Sequence, residues 1–262
     1  MRGRSRHRAG PAGLRHARRA RTLGLAAKAP GAWREGRMNF TTIAAIGLVV
    51  AVALALLHLV ACRPWRFAPA RSDVLVERYG LIERAIHLGL VAGFLLLVVT
   101  GFVPVLKEQP LLSWLLMIHV GLSPVFFLSL LAALFVWGED CCFGPSDCKW
   151  FSAALKDPFG DPAGRPATGR FDPLQKVYFW IAGVLGLLLL ATMLLSMVPL
   201  FGTEEQHLLL DLHRWCALAL AMLTILHTSR SVLGKPGGLS ALVTGKVSAE
   251  WMKKYHPQSD PA

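Results

Sequence analysis

The chain has 262 residues, of which 54% are hydrophobic and 17% charged, with a formal net charge of +12. Repeated apolar stretches of about twenty residues or more exclude an ordinary soluble domain and predict an all-α protein that crosses a membrane several times. The basicity does not predict a nucleic-acid partner: residues 1–37 hold ten Arg and one Lys against one Glu, and only +2 remains from Met38 onward.

In chain order, residues 1–37 have no periodic apolar face. They read as a disordered basic extension, or as translation from an upstream start with Met38 as the true first residue; a basic arm for nucleic acid or anionic lipid is the functional alternative. Residues 38–75 read as one transmembrane helix, about 41–62, and an Arg-rich linker. The Leu-Val-Ala-Cys at 59–62 also resembles a lipoprotein cleavage box, which would place Cys62 outside. Four more apolar runs follow, at about 86–106, 111–137, 174–200 and 207–234. Each is long enough for a hydrocarbon layer of about 30 Å, where helix is the open structure that satisfies its own backbone. The expected fold is a four-helix bundle in a domain spanning 76–262, plus the one extra N-terminal helix of 38–75. The long loop 138–173 and the tail 235–262 are polar.

Lys and Arg set the orientation. The linker, the long loop and the tail together hold fourteen of them, from Arg63 to Lys254, and the opposite loops carry only Lys107. These three segments are therefore expected in the cytoplasm, as is the C-terminus of a multi-pass inner-membrane protein.

Four histidines of the apolar runs set the reading: His87, His119, His213 and His227. His213 and His227 are fourteen residues apart, about 21 Å along a helix and nearly on one face. His119 matches the depth of His213 near the outer side, and His87 that of His227 near the cytoplasm. Ionisable groups in a bilayer are costly and usually functional. Any one of them alone reads as a histidine bonded to a carbonyl; two pairs at matching depths are what two stacked bis-histidine haems need. Six-coordinate iron leaves no position for substrate, so such sites carry electrons. Arg84 and Arg214 adjoin these histidines and are candidate haem-propionate partners, although Arg214 has a local alternative in Asp211. Gly93, Gly101, Gly121, Gly183 and Gly186 could let a flat ring approach the backbone or serve ordinary helix packing, with Gly121 the strongest candidate. His58 and His207 read as interfacial residues.

Five Cys are present, without the C-x-x-C-H motif of covalent haem attachment. Cys141, Cys142 and Cys148 could begin a metal site, but free thiols are the expectation in a reducing compartment. Cys216 reads as core packing.

From about Val76 onward the chain resembles the gamma subunit of membrane-bound formate dehydrogenases, a cytochrome b. The resemblance rests on ERYGLIERAIHLGLVAGFLLLVVTG (77–101), WLLMIHVG (114–121), RFDPLQKVYFWIAGVLGLLLL (170–190), LHRWCALALAMLTILH (212–227) and GKVSAEWMKKYHP (245–257). It implies two haem b groups, one held by His87 and His227 and one by His119 and His213. It also implies a quinone, menaquinone or ubiquinone, reduced beside the cytoplasmic-side haem. The implied partners are an iron–sulfur subunit and a molybdenum or tungsten catalytic subunit. The wider group includes cytochrome b subunits of thiosulfate reductases and NiFe hydrogenases. The quinone-contacting asparagine of that family has no clear counterpart here, where Phe151, Ser152 and Ala153 follow Trp150. Two other readings are a haem-free membrane anchor and a stand-alone transmembrane reductase.

Overall fold

The computed structural model describes residues 39–69, 73–158, 160, 164–198 and 202–257. The basic extension 1–37 and the start at Met38 lie outside the described residues. From Phe40 onward the chain forms one unit.

Among the described residues, five helices are long and apolar enough to cross a membrane. They are α1 (Phe40–Cys62), α2 (Leu81–Leu106), α3 (Ser113–Trp137), and, after a shorter α4 (Pro145–Lys156), α5 (Pro173–Met197) and α6 (Thr203–Thr228). A π-helical turn, Ser229–Leu233, prolongs α6 just past His227. The membrane helices fall close to the expected runs, and the shifts have local causes. Glu83 accepts a hydrogen bond from the Gly80 backbone at 3.0 Å and starts α2 at Leu81, so His87 lies in the second turn rather than at the helix entry. Asp172 caps α5, accepting from the backbone of Leu174 and Gln175 at 3.0 Å each, while Gln175 reaches back to the Asp172 N–H. Pro173 follows in the first helical position, where its missing N–H costs nothing.

The polar segments hold more structure than their composition predicts. The loop 138–173 contains α4. The tail forms α7 (Leu239–Thr244), β2 (Lys246–Ser248) and α8 (Ala249–Tyr255). Strand β2 pairs antiparallel with β1 (Leu75–Glu77) of the linker, Val76 opposite Val247. Ala241, Val247, Trp251, Met252 and Tyr255 close over this ribbon as a small apolar core. Linker and tail thus fold onto each other at one end of the bundle, called the tail end below.

In the membrane helices, α2 pairs with α3 and α5 with α6, and the two hairpins meet chiefly through α3 and α5. Side chains from all four helices join in one apolar layer at mid-height: Leu90, Phe94 and Leu97 from α2, Phe126 and Leu130 from α3, Leu185 and Leu189 from α5, and Cys216 and Leu220 from α6. Helix α1 lies outside this bundle, mainly against α6. It presents Ala44, Ala51 and Ala55, which are 0%, 0% and 8% exposed. Small residues at near-heptad spacing let two backbones approach where lipid offers no hydrophobic drive for association.

Candidate haem sites

The four histidines are partly exposed, and they occupy two levels separated by the apolar layer. On the level far from the tail, His119 lies within electrostatic range of His213; on the level near the tail, His227 lies within range of His87.

The far level is held by two threonines. Thr100 donates to the Leu96 carbonyl of its own helix at 2.7 Å, so its oxygen accepts from the Nδ1–H of His119 at 2.8 Å. Thr192 repeats this on α5. It donates to Leu188 at 2.7 Å and lies 3.3 Å from Nδ1 of His213, which also reaches the Leu189 carbonyl at 3.2 Å. A Nδ1–H engaged in this way fixes the neutral tautomer and leaves Nε2 with its lone pair, the form in which imidazole binds a metal. The donor set on both rings therefore fits a haem iron.

On the near level, His227 stacks on Tyr178 with centroids 3.8 Å apart and planes 14° from parallel. Its Nδ1 lies 3.4 Å from the Ser231 hydroxyl in the π-helical turn. Tyr178 is positioned in turn by Thr224, 3.1 Å from its hydroxyl. His87 meets the edge of Trp137 at 6.5 Å between centroids, and the Trp137 indole N–H donates to Glu83 at 2.8 Å.

The other candidates sort by surroundings. A Cβ placed on Gly93, Gly183 or Gly186 would meet Phe126, Leu134 or Leu130, so these three serve helix packing. At Gly101 it would meet Cε1 of His119 at 3.2 Å, and at Gly121 it meets nothing within 4 Å. Gly101 thus allows the His119 ring to lie against α2, and Gly121 leaves space beside the helix turn that carries His119. Arg84 donates to the carbonyls of Leu242 and Val243 at the end of α7. Arg214 pairs with Asp211 at 3.1 Å, both largely exposed. His207 is exposed, as expected of an interfacial residue, whereas His256 of the polar tail is 1% exposed.

The cysteine-rich segment acts through its backbone. Cys141 and Cys142 offer carbonyls to Trp180 and Lys176 at 3.0 and 2.9 Å. Cys141 is buried while Cys142 and Cys148 are exposed. Burial, then the neighbouring Asp140, pushes the Cys141 thiol up to about 12. Among the described residues no group of three or more His, Cys, Asp or Glu is gathered to hold a metal ion.

Thr100, Thr192 and Tyr178 were not singled out from the sequence. The available signal was a polar side chain inside an apolar run.

Residues 78–245 match the sequence profile of prokaryotic cytochrome b561. The cytochrome b556(fdo) subunit of formate dehydrogenase from Escherichia coli K12 is 28% identical over 202 residues, covering 72% of this chain and 92% of that subunit. The same subunit in Escherichia coli O6:H1 and O157:H7 matches to the same extent. The profile covers α2 through α7 and with them His87, His119, His213 and His227; the chain belongs to the prokaryotic cytochrome b561 family.

Proposed function

We propose that the chain is the membrane cytochrome b subunit of a formate dehydrogenase-type complex. In this reading it carries electrons from a periplasmic iron–sulfur subunit, through two b haems, to a quinone at the cytoplasmic face. The observation that supports it most is the two-level arrangement of histidines, with both far-level rings held in the metal-binding tautomer. Haem b, when bound, supplies one-electron redox chemistry at each level, and two electrons and two protons convert a quinone to its quinol. The molybdenum or tungsten subunit that oxidises the fuel is separate from this chain.

The chain's own residues do the positioning. His119 and His213 are the ligands assigned to the periplasmic level, oriented by Thr100 and by Thr192 with the Leu189 carbonyl. His87 and His227 are assigned to the cytoplasmic level, with Tyr178 and Trp137 against their rings. The apolar layer between the levels excludes water and ions. It includes a cluster of aromatic rings, Phe94 to Phe126 at 5.6 Å and Phe126 to Phe127 at 5.3 Å. Charge reaching the cytoplasmic level therefore arrives as electrons, while protons come from the tail end. Arg214 is retained as the cation at the periplasmic rim, because an exposed pair such as that with Asp211 is worth only about 0–1 kcal/mol and yields readily to a propionate. Arg84 occupies the corresponding place at the cytoplasmic rim.

The test is His227→Ala in the purified complex. It is expected to lose one of two b haems per chain by pyridine haemochrome assay and to stop reducing quinone. Full haem content with normal turnover would refute the assignment. A wild-type protein with no b-type band in its reduced-minus-oxidised spectrum would instead indicate a haem-free anchor.

A further inference from the structure

At the tail end a cavity of about 320 Å³ lies between the end of α1, the loop after α4, the turn after α6 and the tail. Five cationic side chains line it, Arg165, Arg230, Lys235, Lys253 and Lys254, against one carboxylate, Asp172. That carboxylate is already engaged, by Lys235 at 2.8 Å and Arg230 at 3.6 Å. Arg165 and Arg230 are both held over the Trp150 ring, 5.1 and 5.3 Å from its centroid. Burial, then the charge of Arg230, pushes the Arg165 guanidinium below its ordinary range, although Asp172 and Asp157 act the other way. The buried Nε of Arg230 has no hydrogen-bond partner among the described residues. Five cations gathered in one concavity against one carboxylate are arranged for an anion, and guanidinium forks suit phosphate oxygens in particular.

Placement narrows the source. The outer wall is His58, Cys62 and Pro64, where the apolar run of α1 ends, which is headgroup depth for a helix that spans the bilayer. Basic pockets between helix ends are where acidic lipid headgroups bind. The cavity lies on the α1 side of the turn after α6, with Asp172, Lys235 and Arg230 of its lining still within electrostatic range of His227. Ser229, beside Arg230, bonds the Ala55 carbonyl of α1 at 3.1 Å, whereas His227 stacks on Tyr178 of α5. Helix α1 lies outside the segment matched by the family profile, so the outer wall of the cavity is not part of that match.

We propose that this cavity binds a phosphate-bearing anion, the headgroup of an acidic phospholipid from the leaflet at the tail end, with α1 as its outer wall. The test uses the full chain, purified with its haem in a non-ionic detergent. Bound lipid is read by native mass spectrometry and thermal unfolding is followed with added phosphatidylglycerol, phosphatidylcholine or inorganic phosphate. Phosphatidylglycerol should stay bound and raise Tm, and phosphatidylcholine should do neither. Arg165→Gln combined with Lys253→Gln should cut phosphatidylglycerol retention by about tenfold or more, as expected when charge-assisted contacts are lost, with the b-type spectrum unchanged. If the double variant loses its spectrum, Lys253→Gln alone, at an exposed position, should still show a smaller loss. Protection by inorganic phosphate without lipid would support the phosphate site and overturn the lipid as its source. Equal retention of the two lipids, unchanged retention in the variants, or displacement of bound phosphatidylglycerol by a short-chain quinone would overturn the proposal.

Discussion

Thr100 and Thr192 perform the same task on different helices. Each hydroxyl turns its proton back to the carbonyl four residues earlier, which is how threonine satisfies itself inside a helix, and its oxygen is then available to a histidine from the next helix in the chain. The two are not equivalent, because His213 has a second acceptor in the Leu189 carbonyl. Thr100→Val is therefore expected to weaken retention of the far-level haem more than Thr192→Val. Loss of such an orienting partner typically costs about 10–100-fold in affinity. Haem titration of the two variants checks the order, and equal retention in both would contradict it. This device was hard to read in advance. A self-bonded threonine in an apolar run and one that orients a ligand have the same local sequence, and only the partner nineteen residues away in one case and twenty-one in the other tells them apart.

At the scale of the element, α4 shows how a short polar helix is placed. It contains too few apolar residues to stand out, and it is held by one ion pair: Asp147 to Lys176 of α5 at 2.9 Å, both nearly sealed from solvent. Asp147 also accepts from the Gly144 N–H at the helix start. Asp147→Ala would leave Lys176 buried without its counter-ion. A broken buried pair is expected to cost about 3–5 kcal/mol. Thermal unfolding should register the loss, and adding Lys176→Met should recover much of it; no recovery would show that the pair matters for reasons other than the stranded charge. The five membrane helices were far easier to recognise, because a bilayer demands about twenty apolar residues from each. Their precise starts were not, since α2 and α5 begin where Glu83 and Asp172 find backbone N–H groups rather than where hydropathy rises.

For the whole molecule, the question is what keeps linker, loop and tail together. Asp172 and His256 are central to it. Burial alone would raise the Asp172 carboxyl, but Lys235 and then Arg230 outweigh it and hold it well below the usual carboxylate range. His256 is pushed well below its ordinary value, by burial first and then by Lys235 and Arg78. Its Nε2 lies 3.3 Å from the Lys235 ammonium, and its Nδ1 faces the Gly169 carbonyl, so the ring is neutral with the proton on Nδ1. The folded tail then resists a proton that the unfolded tail accepts near pH 6.5. Stability from His256 is lost as pH falls below about 6.5. That from Asp172 is present above about pH 4 and is lost as pH falls further, towards its depressed folded-state value. Hydrogen exchange in 246–257, corrected for its intrinsic pH dependence, should accelerate between pH 7.5 and 5.5 (a window chosen around pH 6.5), and His256→Gln should flatten that response. A flat response in the wild type would count against a neutral, buried His256.

The sequence by itself determined the class of protein, the number of membrane helices and the two levels of histidine. Those features follow from local rules: lipid requires a continuous apolar helix, and fourteen residues bring one helical face back to itself. The tertiary structure decided which helices pair, which glycines are filled by a neighbour's side chain, and whether Cys141, Cys142 and Cys148 gather. It also decided that Arg84 bonds the end of α7, that His256 is buried, and that five cations surround one cavity. Each of these depends on groups brought together from distant parts of the chain, such as Arg230 with Arg165 on Trp150. A side chain's chemistry is legible alone, but its partner is settled only when the helices pack.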